Sequence, residues 1–354
     1  MFTVYNLFKK CAFCLDPEVA HEKSMSFLAH FPLLAAELFS TRPAKFDHSV
    51  EIANLTWKFP IGLAAGLDKN GVAIDFFSRL NFGAIEIGTV TPLPQAGNER
   101  PRMFRLKSSE SLRNMMGFNN LGAEKIYENV KQCKKNGKIL GVNLGKNKST
   151  SQENAWEDYL MLYQKFAPIS DYLVINVSSP NTPGLRHLQG KESLKVILES
   201  LKTVRAKKPT PLFVKISPDL SFTDIPEIIE LASDYKLAGL IATNTTIMSE
   251  IGAGGVSGKL LLERASAMRK FILEHKSAFP ELELIGVGGI SSFEDLWDFW
   301  QGGGKVAQIY TSFIYRGPEI LWKMQKSIDR AIEINGHHSL KELLENIKLA
   351  KRPF

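Results

Sequence analysis

The turn at residues 178–184 concentrates side chains that can take part in chemistry. Ser178, Ser179, Asn181 and Thr182 stand there among two prolines and a glycine. They directly follow the apolar run 172–177, which is long enough for one buried strand and too short for a typical helix. Hydrogen-bonding side chains on a rigid loop after a buried strand are typical of α/β active sites, although the same residues also fit a plain turn.

A lysine inside another apolar run, 212–216, is a second candidate. An unpaired charge at a buried strand position costs free energy, so Lys215 needs an anionic partner. Three partners fit: a ligand phosphate, the N1–C2 carbonyl region of a reduced flavin, or a carboxylate elsewhere in the fold. A desolvated lysine can also form a Schiff base, so an aldolase-type reaction stays open.

Glycine-rich segments predict a phosphate site near the end of the chain. Residues 286–289 read Gly-Val-Gly-Gly and residues 308–312 read Gln-Ile-Tyr-Thr-Ser, each at the end of an apolar run. Glycine lets the backbone approach a ligand, and N–H groups at a helix N-terminus bind a phosphate. A second cluster at 252–258 is placed to close on the same ligand, whereas the glycines at 302–304 fit a plain turn.

Composition and charge narrow the classes of function. Of 354 residues, 44% are hydrophobic and 23% are charged, which is typical of a globular protein with a large core. The formal net charge is +7, but no long basic block with interleaved aromatic residues suggests nucleic-acid binding. A basic surface suits anionic lipid head groups or an anionic small substrate.

The cysteines are Cys11, Cys14 and Cys133, and their odd number argues against a disulfide framework. We therefore expect a reducing compartment. Cys11 and Cys14 form one CxxC pair without a second pair, so packing is favoured over a zinc or redox role, and no metal is expected.

Residues 1–45 differ in pattern from the rest of the chain. The Asp-Pro-Glu triplet at 16–18 predicts the start of a helix that runs to about residue 30, and a second helix is expected over 32–39. The stretch before them is crowded with Phe2, Val4, Tyr5, Leu7, Phe8, Cys11, Phe13, Cys14 and Leu15. This much apolar surface predicts either packing on the main domain or a position in a membrane interface. No run reaches the roughly 18–20 apolar residues that span a bilayer, and no secretory leader pattern is expected.

From about residue 46, short apolar runs alternate with helical patterns such as 192–202 and 225–234. The apolar runs are 61–66, 84–90, 139–145, 172–177, 212–216, 239–245, 282–287 and 306–311. Eight such repeats predict an α/β fold, the closed (β/α)8 TIM barrel, with residues 1–45 as a helical extension. The long segment 91–122 is expected to hold a lid or an inserted hairpin over the barrel mouth.

Polar residues recur where these predicted strands end. They are Asp68, Lys69, Asn70, Thr89, Asn143, Asn176, Ser179, Lys215, Thr243, Asn244 and Thr245. The carboxyl ends of barrel strands form the functional face of this fold. Each residue alone fits a hydrogen-bonded core position, but the repetition predicts one shared site.

Several long motifs resemble those of one family and occur in the same order. They are Gly-Leu-Ala-Ala-Gly-Leu-Asp-Lys-Asn at 62–70, Ile-Glu-Ile-Gly-Thr-Val-Thr-Pro at 85–92, Asn-Met-Met-Gly-Phe-Asn at 114–119, Asn-Val-Ser-Ser-Pro-Asn-Thr-Pro-Gly at 176–184, Ala-Thr-Asn-Thr-Thr at 242–246 and Gly-Val-Gly-Gly-Ile at 286–290. Over essentially its whole length the chain resembles the dihydroorotate dehydrogenases of the membrane-associated, quinone-dependent class.

The resemblance implies that the barrel, residues 46–354, binds FMN and oxidises dihydroorotate to orotate in pyrimidine synthesis. The acceptor would be ubiquinone or menaquinone, and the protein a monomer bound peripherally to the lipid bilayer at the cytoplasmic face of the cell (inner) membrane. FMN would be bound by Ala65, Gly66, Leu67, Asp68, Lys69, Thr89, Asn143, Asn176, Lys215, Thr243, Gly258, Gly289, Tyr310 and Thr311. The substrate would be held by Lys69, Asn114, Met115, Met116, Gly117, Phe118, Asn176, Asn181, Asn244 and Thr245. Met115 departs from the pattern, since many relatives carry a basic residue there.

The resemblance also assigns Ser179 as the general base. It would take the proton from C5 while a hydride leaves C6 for the flavin N5. A serine is a weak base unaided, and the resemblance implies a proton path through water near Thr182, with Phe118 beside it. Relatives that use fumarate or NAD carry cysteine at this position, so Ser179 favours the quinone class.

Residues 1–45 would then form the membrane-facing entrance of a quinone tunnel, with His21 and Arg105 near the quinone head group. Other functions remain open from the residues alone. One is a phosphate-binding lyase or isomerase that uses Lys215 as a Schiff-base amine, and another is a non-catalytic barrel docked on a membrane. A third is the same oxidation with a soluble acceptor.

Overall fold

The computed structural model describes residues 4–39 and 43–353, so residues 1–3, with Phe2, as well as 40–42 and 354, lie outside the described residues. A closed barrel of eight parallel strands forms its centre, and the strands follow one another around the barrel in chain order. They are Ile61–Leu63, Ala84–Val90, Ile139–Leu144, Tyr172–Asn176, Leu212–Ile216, Gly239–Ala242, Glu283–Val287 and Val306–Ile309. The predicted barrel is confirmed.

Three barrel strands end two or three residues earlier than their apolar runs predict. The runs 61–66, 239–245 and 306–311 continue beyond the last strand residues Leu63, Ala242 and Ile309. The residues that follow leave the sheet and line a cavity instead. An apolar pattern indicates burial, but it does not distinguish a residue in a sheet from a residue in the wall of an enclosed site.

Helices surround the barrel and each buries one face. Helix Ile225–Asp234, for example, buries Ile225, Ile228 and Ile229, which is the spacing of a single helix face. The other helices around the barrel are Ile74–Phe77, Gly122–Gln132, Ala155–Phe166, Lys191–Lys207, Leu262–His275, Phe293–Gln301, Thr311–Arg316, Glu319–Ile334 and Leu340–Glu345. Short 3-10 turns lie at Lys107–Ser109, Leu185–Gln189, Lys259–Leu261 and Lys276–Ala278.

The N-terminal helices are Val4–Ala12, Pro17–His30 and Pro32–Glu37. The Asp16 carboxylate accepts hydrogen bonds from the N–H groups of Glu18 and Val19, at 2.9 and 3.1 Å, so the predicted cap is present. Large apolar side chains stay exposed on this unit: Val4, Leu7, Phe8, Leu15, Phe27, Phe31, Leu33, Leu34 and Leu38. Among the residues that the structure describes, no helix combines the length and hydropathy needed to cross a membrane.

A four-stranded antiparallel sheet lies over the barrel mouth and is called the lid sheet below. Its strands, in spatial order, are Thr246–Ile247, Gly255–Gly258, Ser111–Asn114 and Met103–Leu106. The last two form the inserted hairpin expected within 91–122, which is confirmed. At the other end of the barrel, the strands Val50–Ile52 and Leu55–Trp57 pair with each other, and the buried Trp57 ring packs against Gly62.

Candidate active site

A cavity opens at the carboxyl ends of the barrel strands, beneath the lid sheet. It contains about 1200 Å³ of space, part of it open to solvent. Residues from seven of the eight barrel strands, or from the loops directly after them, line it together with residues of the lid sheet. This is the face on which the polar residues at the strand ends were predicted to meet.

Most residues predicted to bind the cofactor or the substrate line this cavity. They are Ala65, Gly66, Lys69, Thr89, Asn114, Met116, Gly117, Phe118, Asn176, Ser179, Asn181, Lys215, Thr243, Asn244, Thr245, Gly258, Gly289, Tyr310 and Thr311. Of the residues predicted for the cofactor, the substrate and the proton path, five do not belong to the wall: Leu67, Asp68, Met115, Asn143 and Thr182. The two residues predicted for the quinone site, His21 and Arg105, do not belong to it either.

The side chain of Asp68 is engaged elsewhere. Its carboxylate accepts hydrogen bonds from the N–H groups of Val72 and Ala73, at 3.0 and 2.8 Å, and thereby holds the loop before helix Ile74–Phe77. Burial raises the pKa of Asp68, and these backbone N–H groups act against that rise. Asp68 therefore orders the loop that carries Lys69.

Ser179 differs from its neighbour Ser178 in hydrogen bonding. The Ser178 hydroxyl donates to Asn176 Oδ1 at 2.9 Å and accepts from Asn244 Nδ2 at 2.9 Å. Ser179 Oγ accepts only the N–H of Asn181, at 3.2 Å, and its own hydrogen has no acceptor within the described ranges. Ser178 is thus committed to the protein, whereas the Ser179 hydroxyl remains available to a ligand.

Asn176 lies at the centre of a hydrogen-bond network on the cavity floor. Its Nδ2 donates to Thr89 Oγ1 at 3.0 Å and to Asn143 Oδ1 at 2.9 Å. Asn143 Nδ2 in turn donates to the carboxylate of Glu86 at 2.9 Å. Because a carboxylate only accepts, Asn143 must turn its amide nitrogen toward Glu86 and its oxygen toward Asn176. The orientation of the floor amides follows from this buried acid.

Lys215 lies near a carboxylate, which is one of the three anionic partners that the sequence allowed. Its Nζ lies 3.9 Å from Glu86 Oε1, and both side chains are buried. Burial lowers the pKa of Lys215, and the Glu86 carboxylate opposes that shift. The anionic partner inside the protein is therefore a barrel carboxylate.

Lys69 brings a second cation to the cavity wall. Its Nζ is buried and has no hydrogen-bond partner in the part of the chain that the structure describes. Burial lowers its pKa to about 8; the Glu18 carboxylate opposes this shift, and the Arg102 guanidinium adds to it. An ammonium without a protein partner suits an anionic group of a ligand.

The two residues predicted to lie near a quinone have different surroundings. Burial, together with the ammonium of Lys69, lowers the pKa of His21 to about 3, so its imidazole is neutral at physiological pH. The guanidinium of Arg105 donates to the carbonyl groups of Leu15 and Ala12, at 2.8 and 3.2 Å, and lies 4.5 Å from the ring centre of Phe13. Arg105 thus fastens the lid sheet to the end of the first N-terminal helix.

Glycines shape the end of the cavity that the sequence assigns to phosphate. At Gly289, with φ of +78°, an added Cβ would lie 2.5 Å from Leu262 Cα, so only glycine fits. Thr311 and Ser312 line the cavity as the first residues of helix Thr311–Arg316, and the first N–H groups of a helix have no partner within it. Both features are common in phosphate sites.

Sequence reasoning missed residues that support the site from outside its wall. Arg186 donates to the carbonyl groups of Ser178 and Thr245, at 3.1 and 2.9 Å, and pairs with Asp219 at 2.8 Å. It braces the loops after the fourth and sixth barrel strands. The signal for Glu86 was present, because a glutamate inside an apolar run is as unusual as Lys215. Arg186 gave no such signal.

Residues 48–332 match the family model described as dihydroorotate dehydrogenase. The chain is 42% identical over 339 residues to the dihydroorotate dehydrogenase (quinone) of Vibrio cholerae. This alignment covers 92% of this chain and 100% of the relative. It is 41% identical to the protein of that name from Christiangramia forsetii, over 91% of this chain and 98% of the relative.

Solved structures give the same relationship. The fold is similar to DHODH from Eimeria tenella in complex with ferulenol, with a TM-score of 0.84 and 31% identity over 94% of this chain and 97% of the other. The ligand-free form from the same organism gives a TM-score of 0.82 and 32% identity, over 92% of this chain and 98% of the other. The chain belongs to the dihydroorotate dehydrogenase family.

Proposed function

We propose that this protein oxidises dihydroorotate to orotate and passes the electrons to a quinone, as a step of pyrimidine synthesis. Relatives at 42% identity carry the name of that activity. The observation that carries the proposal is the set of groups gathered in one cavity: the unpaired ammonium of Lys69, the amides of Asn114, Asn181 and Asn244, and the free hydroxyl hydrogen of Ser179. These groups complement a small ring that bears a carboxylate and amide-like edges.

FMN fits the remaining part of the cavity. Lys215 offers N–H groups that no described residue accepts, and Gln308 Oε1 is buried without a partner among the described residues. Together with the glycine-shaped end, they match a ring with donors and acceptors at its edge and a phosphate on its tail. The residues that would hold it are Ala65, Gly66, Thr89, Asn176, Lys215, Thr243, Gly258, Gly289, Tyr310 and Thr311. Bound FMN supplies an acceptor for a hydride.

The substrate would be bound by residues on both sides of the mouth. Lys69 neutralises the carboxylate, and Asn181 and Asn114 hold each other through a 3.1 Å hydrogen bond from Asn181 Nδ2 to Asn114 Oδ1. Thr245 Oγ1 is buried without a partner among the described residues and is available to the ring edge. Asn176 and Asn244 complete the set from the barrel floor.

Ser179 would take the proton from C5 of dihydroorotate while C6 loses a hydride, which leaves a C5–C6 double bond. The serine must then pass a proton onward, since a hydroxyl holds only one. Thr182 Oγ1 is buried and unpaired among the described residues, three positions along the same loop, and Phe118 belongs to the cavity wall. This arrangement supports a proton path through Thr182 beside Phe118.

The N-terminal helices, within the segment 1–45, would dock the protein peripherally on a lipid surface and admit the quinone to the catalytic barrel, residues 46–354. Quinone-linked relatives imply association with a membrane. The exposed apolar side chains of these helices, with the exposed Lys23 among them, support the docking. We place the protein as a monomer at the cytoplasmic face of the cell membrane, with His21 and Arg105 near the quinone path.

A visible spectrum of the purified protein tests the activity directly. We expect a yellow protein that bleaches when dihydroorotate is added without oxygen and regains its colour on addition of quinone. Recovery with fumarate or NAD in place of quinone would assign a soluble acceptor. A colourless protein that does not take up FMN would contradict the proposal and favour Schiff-base chemistry at Lys215, which borohydride trapping with a carbonyl substrate would detect.

A further inference from the structure

Glu86 is a charged residue that the proposed reaction does not use. It lies in strand Ala84–Val90, three positions before Thr89, and is fully buried. Oε1 accepts from Asn143 Nδ2 at 2.9 Å, and Oε2 accepts from Gln308 Nε2 at 2.7 Å and from the Tyr172 hydroxyl at 3.1 Å. Three neutral donors therefore stabilise the carboxylate inside the barrel.

These donors hold the carboxylate close to Lys215 but out of hydrogen-bonding contact with it. Glu86 Oε1 lies 3.9 Å from Lys215 Nζ, which exceeds the length of a hydrogen bond. Within the described residues, Lys215 donates no hydrogen bond, and its side chain lines the cavity. Glu86 thus balances the charge of the lysine and leaves its three N–H groups unused.

The charge of Lys215 depends on Glu86 because the lysine is buried. A lone ammonium in this position would shed its proton, since burial disfavours the charged form. Burial lowers the pKa of Lys215, and among the described groups the Glu86 carboxylate raises it. Without the carboxylate, nothing described around the lysine offsets burial.

We propose that Glu86 is a positioning residue that keeps Lys215 protonated while leaving its N–H groups free for the cofactor, and so raises the tendency of the bound cofactor to accept electrons. This inference rests on the proposed binding of FMN in the cavity. A direct salt bridge could not do this, because a carboxylate in hydrogen-bonding contact with Lys215 would occupy the N–H groups that the cofactor needs.

In the Glu86→Gln variant, the direction in which the reduction potential changes depends on whether Lys215 keeps its proton. In the native protein the pair is neutral overall, but its cation faces the cavity and its anion lies deeper. If Lys215 loses its proton in the variant, the pair is again neutral, but the cation beside the cofactor is gone and the reduction potential falls. If Lys215 kept its proton, removing the anion would raise the potential instead.

The test is a spectroelectrochemical titration of the FMN bound to the native protein and to Glu86→Gln, Lys215→Met and the double variant. At neutral pH we expect Glu86→Gln to lower the reduction potential by at least about 30 mV. For a two-electron couple this is a tenfold change in the ratio of oxidised to reduced flavin. In the Lys215→Met background the same substitution should raise the potential. A rise or no change in the single variant overturns the proposal.

Two further measurements guard against a folding effect. Tyr172→Phe removes one neutral donor from the same carboxylate and keeps both charges, so we expect less than about a twofold change in the ratio of oxidised to reduced flavin.

The double variant replaces both buried charges of the pair, and such replacements are commonly tolerated. The difference between its potential and the native one should stay constant from pH 6 to 9. A difference that changes as the pH rises within this range means that Lys215 deprotonates despite Glu86, and it refutes the inference. Yellow protein with the wrong sign thus rejects the role of Glu86, whereas colourless native protein rejects the proposed cofactor and the inference with it.

Discussion

Ser179 and Thr182 lie on one turn and are both buried, and each has a hydroxyl that donates to no described residue. The neighbouring Ser178 is instead bonded on both sides. A general base needs a free lone pair toward the substrate and an outlet for the proton that it takes. The turn at 178–184 provides both, which is why the catalytic prediction falls on Ser179 and not on Ser178.

Ser179→Ala should slow the oxidation of dihydroorotate by about 10²–10⁴-fold, the usual contribution of a general base. FMN should stay bound, since the one hydrogen bond of the hydroxyl among the described residues is the 3.2 Å bond that it accepts from the Asn181 N–H. Stopped-flow bleaching of the flavin by dihydroorotate measures the step. The matched control is Ser277→Ala on the protein surface, which should react at the native rate. Native bleaching in Ser179→Ala would remove the serine from the mechanism.

Lys69 gives the reaction a pH limit on the alkaline side. Its pKa in the free protein is about 8, so the ammonium that would bind the substrate carboxylate is present below pH 8 and lost above it. We expect kcat/KM for dihydroorotate to fall above pH 8, because this parameter reports the free protein. The bound carboxylate stabilises the charged lysine, so kcat should change less.

Lys138 provides the control for this profile. Burial and the nearby Lys58 also lower its pKa to about 8, but it lies just before strand Ile139–Leu144, at the opposite end of the barrel. Lys138→Met should leave the alkaline fall in place, while Lys69→Met should lower kcat/KM and flatten the profile. If Lys138→Met moved the fall instead, the assignment to Lys69 would be wrong.

How far the site could be predicted depended on whether a residue's partner is near in sequence. Thr89 and Lys215 were found because a polar residue at the end of an apolar run is visible locally. The role of Asp68 could not be predicted in this way, because its carboxylate accepts from the N–H groups of Val72 and Ala73 instead of facing the cavity. The sequence shows where a strand ends, but not which way the next side chain points.

Long-range partners were beyond the sequence for a related reason. Glu86 and Lys215 are brought together only when the barrel closes, and Arg105 meets Leu15 only when the N-terminal helices dock. Neither contact follows from local propensity. The barrel itself was predictable because eight repeats of one pattern leave few ways to bury so many apolar strands.

The exposed apolar face of the N-terminal helices should determine vesicle binding. Leu33 and Leu34 are 58% and 53% exposed, and burying a leucine is worth about 1.5–3 kcal/mol. The double variant Leu33→Ser, Leu34→Ser should therefore weaken binding to phosphatidylglycerol and phosphatidylcholine vesicles by about 10²-fold or more in a co-sedimentation assay. Leu349→Ser is the control, because Leu349 is 89% exposed but lies near the other end of the chain. Equal losses in both variants would mean that binding does not use the N-terminal helices.

Glu18 connects the N-terminal helices to the proposed substrate site. Its carboxylate pairs with Arg102 at 2.7 Å, and both side chains are 5% exposed. Arg102 also donates to the Asn98 carbonyl, and the Asn98 amide donates to the Met115 and Asn181 carbonyl groups, at 3.0 and 3.1 Å. Breaking a buried pair by removing one charge costs about 3–5 kcal/mol, so Glu18→Gln should loosen helix Pro17–His30 together with the loop that we propose holds the substrate.

Three readouts follow from the Glu18→Gln change. Hydrogen exchange should speed up in residues 17–30 and 95–102, and KM for dihydroorotate should rise. The alkaline fall in kcat/KM should also move to lower pH, because the Glu18 carboxylate raises the pKa of Lys69 and its loss leaves burial less opposed. Glu22→Gln is the matched control one turn along the same helix: its salt bridge to Arg100 joins two half-exposed side chains and contributes about 0–1 kcal/mol, so hydrogen exchange should stay native. The Glu22 carboxylate also raises the pKa of Lys69, but less than Glu18 does, so the alkaline fall should move less in the control than in Glu18→Gln. A Glu18→Gln variant that keeps the native pH profile while its helix exchanges faster would separate the helix from the substrate site, and the connection through Arg102 would then be structural only.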